Sequence, residues 1–292
     1  MASLQEYKKK LASLKNTLKI TKTMKMVSAS KLKRAQTTQG NASNYADHVS
    51  NMIARLAGAV EDDAHPLMTP RPNAKKALVL VFTSDKGLCG GFNNNLIKMV
   101  NRWVQGEGNE TYDSIDLSFC GRRGFSFFNG KQTIAKHYED VTPRPNFSDA
   151  SRIGAELVAN FIDGTYDHVY MAYNTFQSPL SQTPSLSQLL PIQPAEVKSE
   201  DAKPTTAQNY IFEPAQEELL AELIPRIINF KVFYTLLENS AGEHGARMTA
   251  MDNATSNAEG AIEKYTLMHN RARQAAITTE LIEIISGAEA LN

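Results

Sequence analysis

The stretch LQEYKKKLASLKNTL, residues 4–18, carries apolar side chains at alternating intervals of three and four residues. These positions are Leu4, Tyr7, Leu11, Leu14 and Leu18. This spacing places all five side chains on one stripe of an underwound helix, which is the seam of a coiled coil. Because such a stripe needs cover, a partner helix must pack along it.

A candidate partner lies at the other end of the chain, in nearly the same register. Its seam positions are Leu220, Leu223, Ile227, Phe230, Tyr234, Leu237, Ala241, Met248, Met251, Ile262 and Tyr265. Residues 1–36 carry ten Lys or Arg against the single acid Glu6, whereas acids outnumber bases in residues 213–263. Opposite charges favour pairing of the two arms and discourage pairing of like arms. We therefore predict an antiparallel two-helix coiled coil formed by the N- and C-terminal helices.

The middle of the chain has the pattern of an inserted domain. A proline-rich break at residues 65–73 ends the first helix, and the run ALVLVF at residues 77–82 predicts a strand buried on both faces. Further strands are predicted at residues 114–120, 168–173 and, at the sheet edge, 187–192, and helices at residues 94–104 and 149–163. The alternation of strand and helix predicts a Rossmann-like α/β domain.

These elements give a predicted organisation in three parts. The predicted boundaries are residues 1–60 for the N-terminal coiled-coil helix, 75–208 for the α/β domain and 210–292 for the C-terminal coiled-coil helix. Within the last of these, Pro225 is expected to kink or locally break the helix near its start.

Composition and motifs argue against several classes of function. No stretch approaches the roughly 20 apolar residues that a membrane span needs, and Cys89 and Cys120 are too few for a disulfide framework or a four-thiolate zinc site. The glycine loop at residues 87–91 lacks the Lys-Ser/Thr pair of a phosphate-binding loop. His244 has no second histidine at metal-binding spacing. We predict no catalytic centre, cofactor or metal.

Three stretches match the pattern of one known family. They are ITKTMKMVSASK at residues 20–31, SDKGLCGGFN at residues 84–93, and EHGARMTAMDNA at residues 243–254 followed by residues 265–287. In this order and spacing they resemble the gamma subunit, or central stalk, of the rotary F-type ATP synthase. The resemblance covers essentially the whole chain.

The resemblance implies a shaft that performs no chemistry of its own. It would be present in one copy, turn inside the ring of alternating alpha and beta subunits, and couple that ring to the proton-driven membrane c-ring. Arg273, Gln274 and Thr278 resemble the family's polar contacts to a loop of the catalytic subunit. Met24 would lie near the same loop, and Lys25 would face the acidic part of the ring.

The foot of the shaft and its location follow from the same resemblance. Tyr210, Phe212 and Glu213 are candidates for contact with the c-ring or with an epsilon-type small stalk subunit. Gly245 departs from the alanine that is commoner in the family, and glycine there lowers helix stability. The protein is expected on the cytoplasmic side of a bacterial inner membrane as a peripheral protein, with the matrix side of the mitochondrial inner membrane as the alternative.

Two other classes of function are open on the sequence. The basic first helix could bind nucleic acid, but it lacks interleaved aromatic residues and its seam is better suited to a helix. A freestanding coiled-coil adaptor fits the two helices but leaves the three matching stretches unexplained. We expect no nucleic-acid partner.

Overall fold

The computed structural model describes residues 4–57, 65–71, 74–192 and 216–289, with side chains for residues 4–42, 65–71, 74–192 and 222–288. The elements are α1 (Leu4–Ala57), β1 (Lys76–Phe82), α2 (Phe92–Trp103), a π-helical turn (Val104–Gly108), α3 (Asn109–Thr111), β2 (Ser114–Cys120), α4 (Arg122–Phe128), β3 (Ile134–Tyr138), α5 (Phe147–Ile162), β4 (His168–Ser178), β5 (Ser181–Leu190) and α6 (Gln216–Glu289).

The chain divides into two compact units. Met1–Ala29 and Arg247–Asn292 form the first, which we call the coiled-coil unit, and Ser30–Ala246 form the second, the sheet unit. The long helices α1 and α6 contribute residues to both units. The predicted fold class, two paired terminal helices with an inserted α/β domain, is confirmed.

The sheet unit contains a five-stranded sheet in the order β3-β2-β1-β4-β5. The first four strands are parallel, and β5 pairs antiparallel with β4. Alternate residues of β1 enter two different cores, with Leu78, Leu80 and Phe82 on one side of the sheet and Ala77, Val79 and Val81 on the other. This two-sided burial is what the apolar run at residues 77–82 predicts.

Helices cover both faces of the sheet. The core that contains Leu80 also takes in residues of α5 and α6, whereas the core that contains Val79 takes in residues of α2 and α4. In α6 the buried residues Ile224, Ile228 and Val232 recur every four positions, so they form one stripe. The sheet is therefore closed on each side by an amphipathic helical layer.

Several predicted elements match the structure, and some differ. The strand at residues 114–120 is confirmed, β4 runs five residues beyond the predicted 173, and β5 begins at Ser181 rather than 187. Of the kink or local break predicted at Pro225, the break is wrong, because α6 continues through this residue. Its neighbours Ile224 and Ile228 are fully buried, and their packing offsets the backbone hydrogen bond that proline removes.

Gly245 has a packing reason in this chain. A Cβ atom at this position would lie 3.1 Å from the Cα atom of Pro179 and 3.2 Å from the Phe176 ring. Both residues belong to the β4–β5 hairpin, which passes close to α6 here. Glycine therefore permits an approach between helix and hairpin that alanine would crowd.

Candidate partner-binding surface

The coiled-coil unit joins the start of α1 to the later part of α6 through a continuous seam. On α1 the predicted positions Leu4, Tyr7, Leu11, Leu14 and Leu18 are half-buried, and the residues between them are exposed. The rings of Tyr7 and Tyr265 lie 6.3 Å apart between centroids. The predicted seam is therefore the surface along which the two helices pack.

A polar layer interrupts this seam at Thr21, Lys25 and their partners. The hydroxyl oxygen of Thr255 lies 2.9 Å from that of Thr21 and 2.7 Å from the carbonyl oxygen of Met251. The ammonium group of Lys25 pairs with the Asp252 carboxylate. Because residues 7, 21 and 25 of α1 meet residues 265, 255 and 252 of α6, the helices are antiparallel, as predicted.

The two threonines and the ion pair differ in burial. Both threonines are buried, so their hydroxyl groups need partners within the protein. The side chains of Lys25 and Asp252 are 41% and 53% exposed, and a pair this open to solvent contributes at most about 1 kcal/mol. The threonine pair is therefore the feature that marks the register, and the ion pair is a minor addition.

The end of α6 continues past its partner. Every residue from 273 to 288 is exposed, and these 16 residues extend about 24 Å at 1.5 Å per residue. We call this segment the tip. Its large exposed apolar side chains are Ile277, Leu281, Ile282, Ile284 and Ile285. An apolar helix face that none of the described side chains covers is the kind of surface that another protein binds.

The predicted contact residues fall in two places. Arg273, Gln274 and Thr278 are exposed on the tip, and the Thr278 hydroxyl donates to the backbone carbonyl oxygen of Gln274 at 2.9 Å. Met24 is half-buried beside the polar layer. The register of Lys25 with Asp252 puts Met24 about 20 residues, or roughly 30 Å, from Arg273 along the coil. A partner that touches both must span this distance.

Other predicted residues and features lie elsewhere. Tyr210, Phe212 and Glu213 lie outside the described residues. The exposed apolar residues of the tip were not among the predicted site residues. The apolar spacing of α6 continues beyond the part that pairs with α1, and this signal would have indicated them. Among the described residues, no cluster of three or more His, Cys, Asp or Glu side chains could hold a metal ion.

The sheet unit has its own candidate position, the crevice at the carboxyl ends of β1 and β4. Strand order reverses there, which is where open α/β sheets bind ligands. In this chain the Asn239 amide of α6 donates to the carbonyl oxygen of Thr83 at 3.3 Å, and Asn174 donates to that of Phe92 at 3.2 Å. Polar groups of the crevice are thus bonded to α6 and to the start of α2.

The glycine loop after β1 is also internally bonded. The backbone N–H of Ser84 donates to Asn93 Oδ1 at 2.9 Å, and the Ser84 hydroxyl donates to the carbonyl oxygen of Lys86 at 2.6 Å. Gly90 has a φ of 58°, in the left-handed region that favours glycine. These bonds fit a tight structural turn.

None of the described helices has the length and apolar content that a membrane span requires.

Comparison with known proteins bears on the whole chain. A family model described as ATP synthase matches residues 3–291. The ATP synthase gamma chain of Geotalea daltonii is 47% identical over 291 residues, which is 100% of this chain and 99% of the relative. The chain belongs to the ATP synthase gamma-chain family. The gamma chain of Trichlorobacter lovleyi, at 45% identity, covers the same shares of both chains.

Solved structures of ATP synthases contain chains with a similar fold. A chain in the central stalk/c-ring structure of Tetrahymena thermophila mitochondrial ATP synthase is 25% identical, with a TM-score of 0.60, and covers 80% of this chain and 99% of its own length. A chain of Euglena gracilis mitochondrial ATP synthase covers 99% of this chain and 94% of its own length at a TM-score of 0.65. At 19% identity the second likeness concerns the fold alone.

Proposed function

We propose that this chain is the central rotor shaft of an F1Fo ATP synthase, a subunit that is not catalytic on its own. It couples rotation of the proton-driven membrane c-ring to ATP synthesis or hydrolysis in the ring of alpha and beta subunits. The observation that carries the proposal is the tip, an exposed helix beyond the paired coil in a member of the gamma-chain family. Inside a surrounding ring, this apolar helix would gain the cover that the described residues of the chain do not provide.

The shape of the tip supports a way to bias the catalytic subunits. A single helix with Arg273 and Gln274 on its surface presents different groups in different directions, so each ring subunit meets a different face as the shaft turns. An arginine can donate several hydrogen bonds to a carboxylate, and these bonds form at some rotor angles only. A contact made in one conformation of a subunit and not in another shifts the equilibrium between them.

The coil below the tip has two further proposed contacts. The ammonium group of Lys25 already pairs with the Asp252 carboxylate. It would therefore attract an acidic group of the ring less strongly than an unpaired lysine would. Half-buried Met24 would offer only part of its side chain. We assign these two residues a smaller role than Arg273 and Gln274, whose side chains are exposed.

The remaining partners and the location rest on the family. We assign the c-ring and an epsilon-type small stalk subunit to the foot of the shaft, with Tyr210, Phe212 and Glu213 as contact candidates. The Tetrahymena structure, a central stalk with its c-ring, supports the first of these partners. Bacterial relatives such as that of Geotalea daltonii support a peripheral position on the cytoplasmic side of a bacterial inner membrane.

Reconstitution tests the proposal. The chain is assembled with the alpha and beta subunits of the same organism, and ATP hydrolysis is measured for the wild type, for Arg273→Ala/Gln274→Ala, and for Asn270→Ala/Arg271→Ala. The last variant removes the same kinds of exposed groups just before the tip. We expect assembly in every case and a loss of hydrolysis in the Arg273/Gln274 variant alone.

Two results would contradict it. If the wild-type chain neither joins the ring nor alters its turnover, the rotor function is wrong and the adaptor hypothesis replaces it. If both double variants lose activity equally, the contact is a general property of the helix and the assignment to Arg273 and Gln274 fails.

A further inference from the structure

A basic cavity lies at the end of α2 in the sheet unit, and the proposed rotor function does not use it. Its volume is about 470 Å³, and it is a shallow depression wide open to solvent. It is lined by Lys98, Asn101, Arg102, Gln105 and Gly106. We propose that this cavity binds a ligand that carries two linked phosphate groups.

The charges in the cavity favour an anion. Lys98 and Arg102 are four residues apart, so their side chains project from the same face of the helix, where like charges repel. No acidic side chain lines the cavity, and within the described part of the chain neither cation takes part in an ion pair. A bound anion would relieve this repulsion.

The polar side chains of the cavity suit phosphate oxygens. Arginine presents a planar fork of donors and lysine a compact charge with three donors, and both recognise phosphate. Asn101 and Gln105 lie on the same helix face and add amide N–H donors. Two cations one helical turn apart match a ligand with two phosphates better than a ligand with one.

The backbone beside these side chains is open. The segment Val104–Gly108 follows α2 directly, and the chain kinks within it at Gly106, which has a non-helical φ of −110° and ψ of −112°. A Cβ atom at Gly106 would meet nothing within 4 Å. Glycine therefore leaves room for a ligand to approach the main chain at this kink.

Two kinds of molecule carry such a pair of phosphate groups: a free diphosphate and a lipid headgroup with two phosphates. For the first, the full chain is titrated with inorganic pyrophosphate, followed by calorimetry and by fluorescence of Trp103. This residue is the chain's single tryptophan and adjoins Arg102. For the second, the chain is sedimented with phosphatidylcholine vesicles that contain cardiolipin, and with vesicles that lack it.

A variant and a matched control make both experiments specific. Lys98→Gln/Arg102→Gln removes the two cavity cations, and because both side chains are exposed the fold should persist. Lys15→Gln/Lys19→Gln removes two exposed cations at the same spacing on α1. We expect saturable binding by the wild type and the control, and at least about tenfold weaker binding by the cavity variant, since charge-assisted phosphate bonds are lost.

Each outcome decides the proposal. Cavity-dependent binding of pyrophosphate supports a free diphosphate, and cavity-dependent binding of cardiolipin vesicles alone supports the lipid source. If neither ligand binds, or if the cavity variant binds as tightly as the wild type in both experiments, the proposal is wrong. Because the isolated chain is used, the result is independent of the rotor function.

Discussion

Gly121, directly after β2, provides a sharp test of how closely the strands β1 and β2 approach at their carboxyl ends. Its φ is +103°, and a Cβ atom there would lie 2.1 Å from the carbonyl oxygen of Thr83. The Thr83 hydroxyl donates to the Gly121 carbonyl oxygen at 3.2 Å and accepts the Gly124 N–H at 2.9 Å. The substitution Gly121→Ala therefore strains the backbone and pushes against this network.

The expected loss of stability follows from these contacts. A non-glycine residue in such a backbone conformation costs about 1–3 kcal/mol. The clash falls on backbone, which cannot rotate away, so at least one of the two hydrogen bonds to Thr83 is lost at about 0.5–1.5 kcal/mol each. We expect Gly121→Ala to lower the free energy of unfolding by about 1.5–6 kcal/mol.

Gly130 supplies the control, because its φ is +79° but a Cβ atom there would meet nothing within 4 Å. Gly130→Ala should cost only the strain, about 1–2 kcal/mol. Both variants are unfolded in urea with Trp103 fluorescence as the probe, since this tryptophan lies within the sheet unit. If Gly121→Ala is no less stable than Gly130→Ala, the close approach to Thr83 contributes nothing and the reasoning is wrong.

Three further predictions concern stability. Thr255→Val should lower coil stability by about 0.5–1.5 kcal/mol, and Thr21→Val/Thr255→Val should recover most of it, as measured by circular dichroism in urea. Partial burial would raise the pKa of Asp167, but hydrogen bonds from two backbone N–H groups and an arginine hold it below the usual value. Asp167→Asn should remove the stability that this carboxylate provides above about pH 4 and that fades at lower pH. Burial raises the pKa of Glu238, which accepts the Phe176 N–H at 3.0 Å. The contribution of Glu238 to the free energy of unfolding should fall as pH rises above about 4, and Glu238→Gln should remove that part of the pH dependence.

Each of these has a result that would contradict it. Thr255→Val as stable as the wild type would show that the threonine pair contributes nothing. An unchanged acid dependence in Asp167→Asn would assign that dependence to other carboxyl groups. Glu238→Gln with the same slope above pH 4 as the wild type would show that this buried carboxyl does not govern it. All three variants preserve side-chain shape, so lost packing cannot explain the effects.

The sequence predicts the elements whose apolar pattern is complete within a short window. The strand at residues 77–82 is an unbroken apolar run, and the α1 seam repeats for five positions. The strand β3, IAKHY, is a short edge strand with exposed residues between its apolar ends, so it carries no such pattern. Helix α4 contains Gly124, whose place is set partly by its closeness to Thr83, and this contact joins residues 41 positions apart in the sequence.

The candidate surface, too, is predicted from the sequence only in part. Resemblance to the family selects Arg273, Gln274 and Thr278, and the structure exposes all three on one segment. The point at which the tip begins depends on the pairing register, which the contact of Thr21 with Thr255 fixes. Apolar residues on paired and unpaired turns of α6 have the same periodicity in sequence, so periodicity alone does not tell them apart.

The stripe of α6 residues in the sheet unit has a consequence for twisting loads. Ile224, Ile228 and Val232 are fully buried, and farther along Asn239 is bonded to the main chain of Thr83. Turning α6 about its own axis by one residue step, about 100°, would withdraw these apolar side chains from the core and break the Asn239 bond. Within this unit, buried side chains and a hydrogen bond therefore prevent the helix from rotating independently of the sheet. A torque applied to the helix must turn the sheet with it.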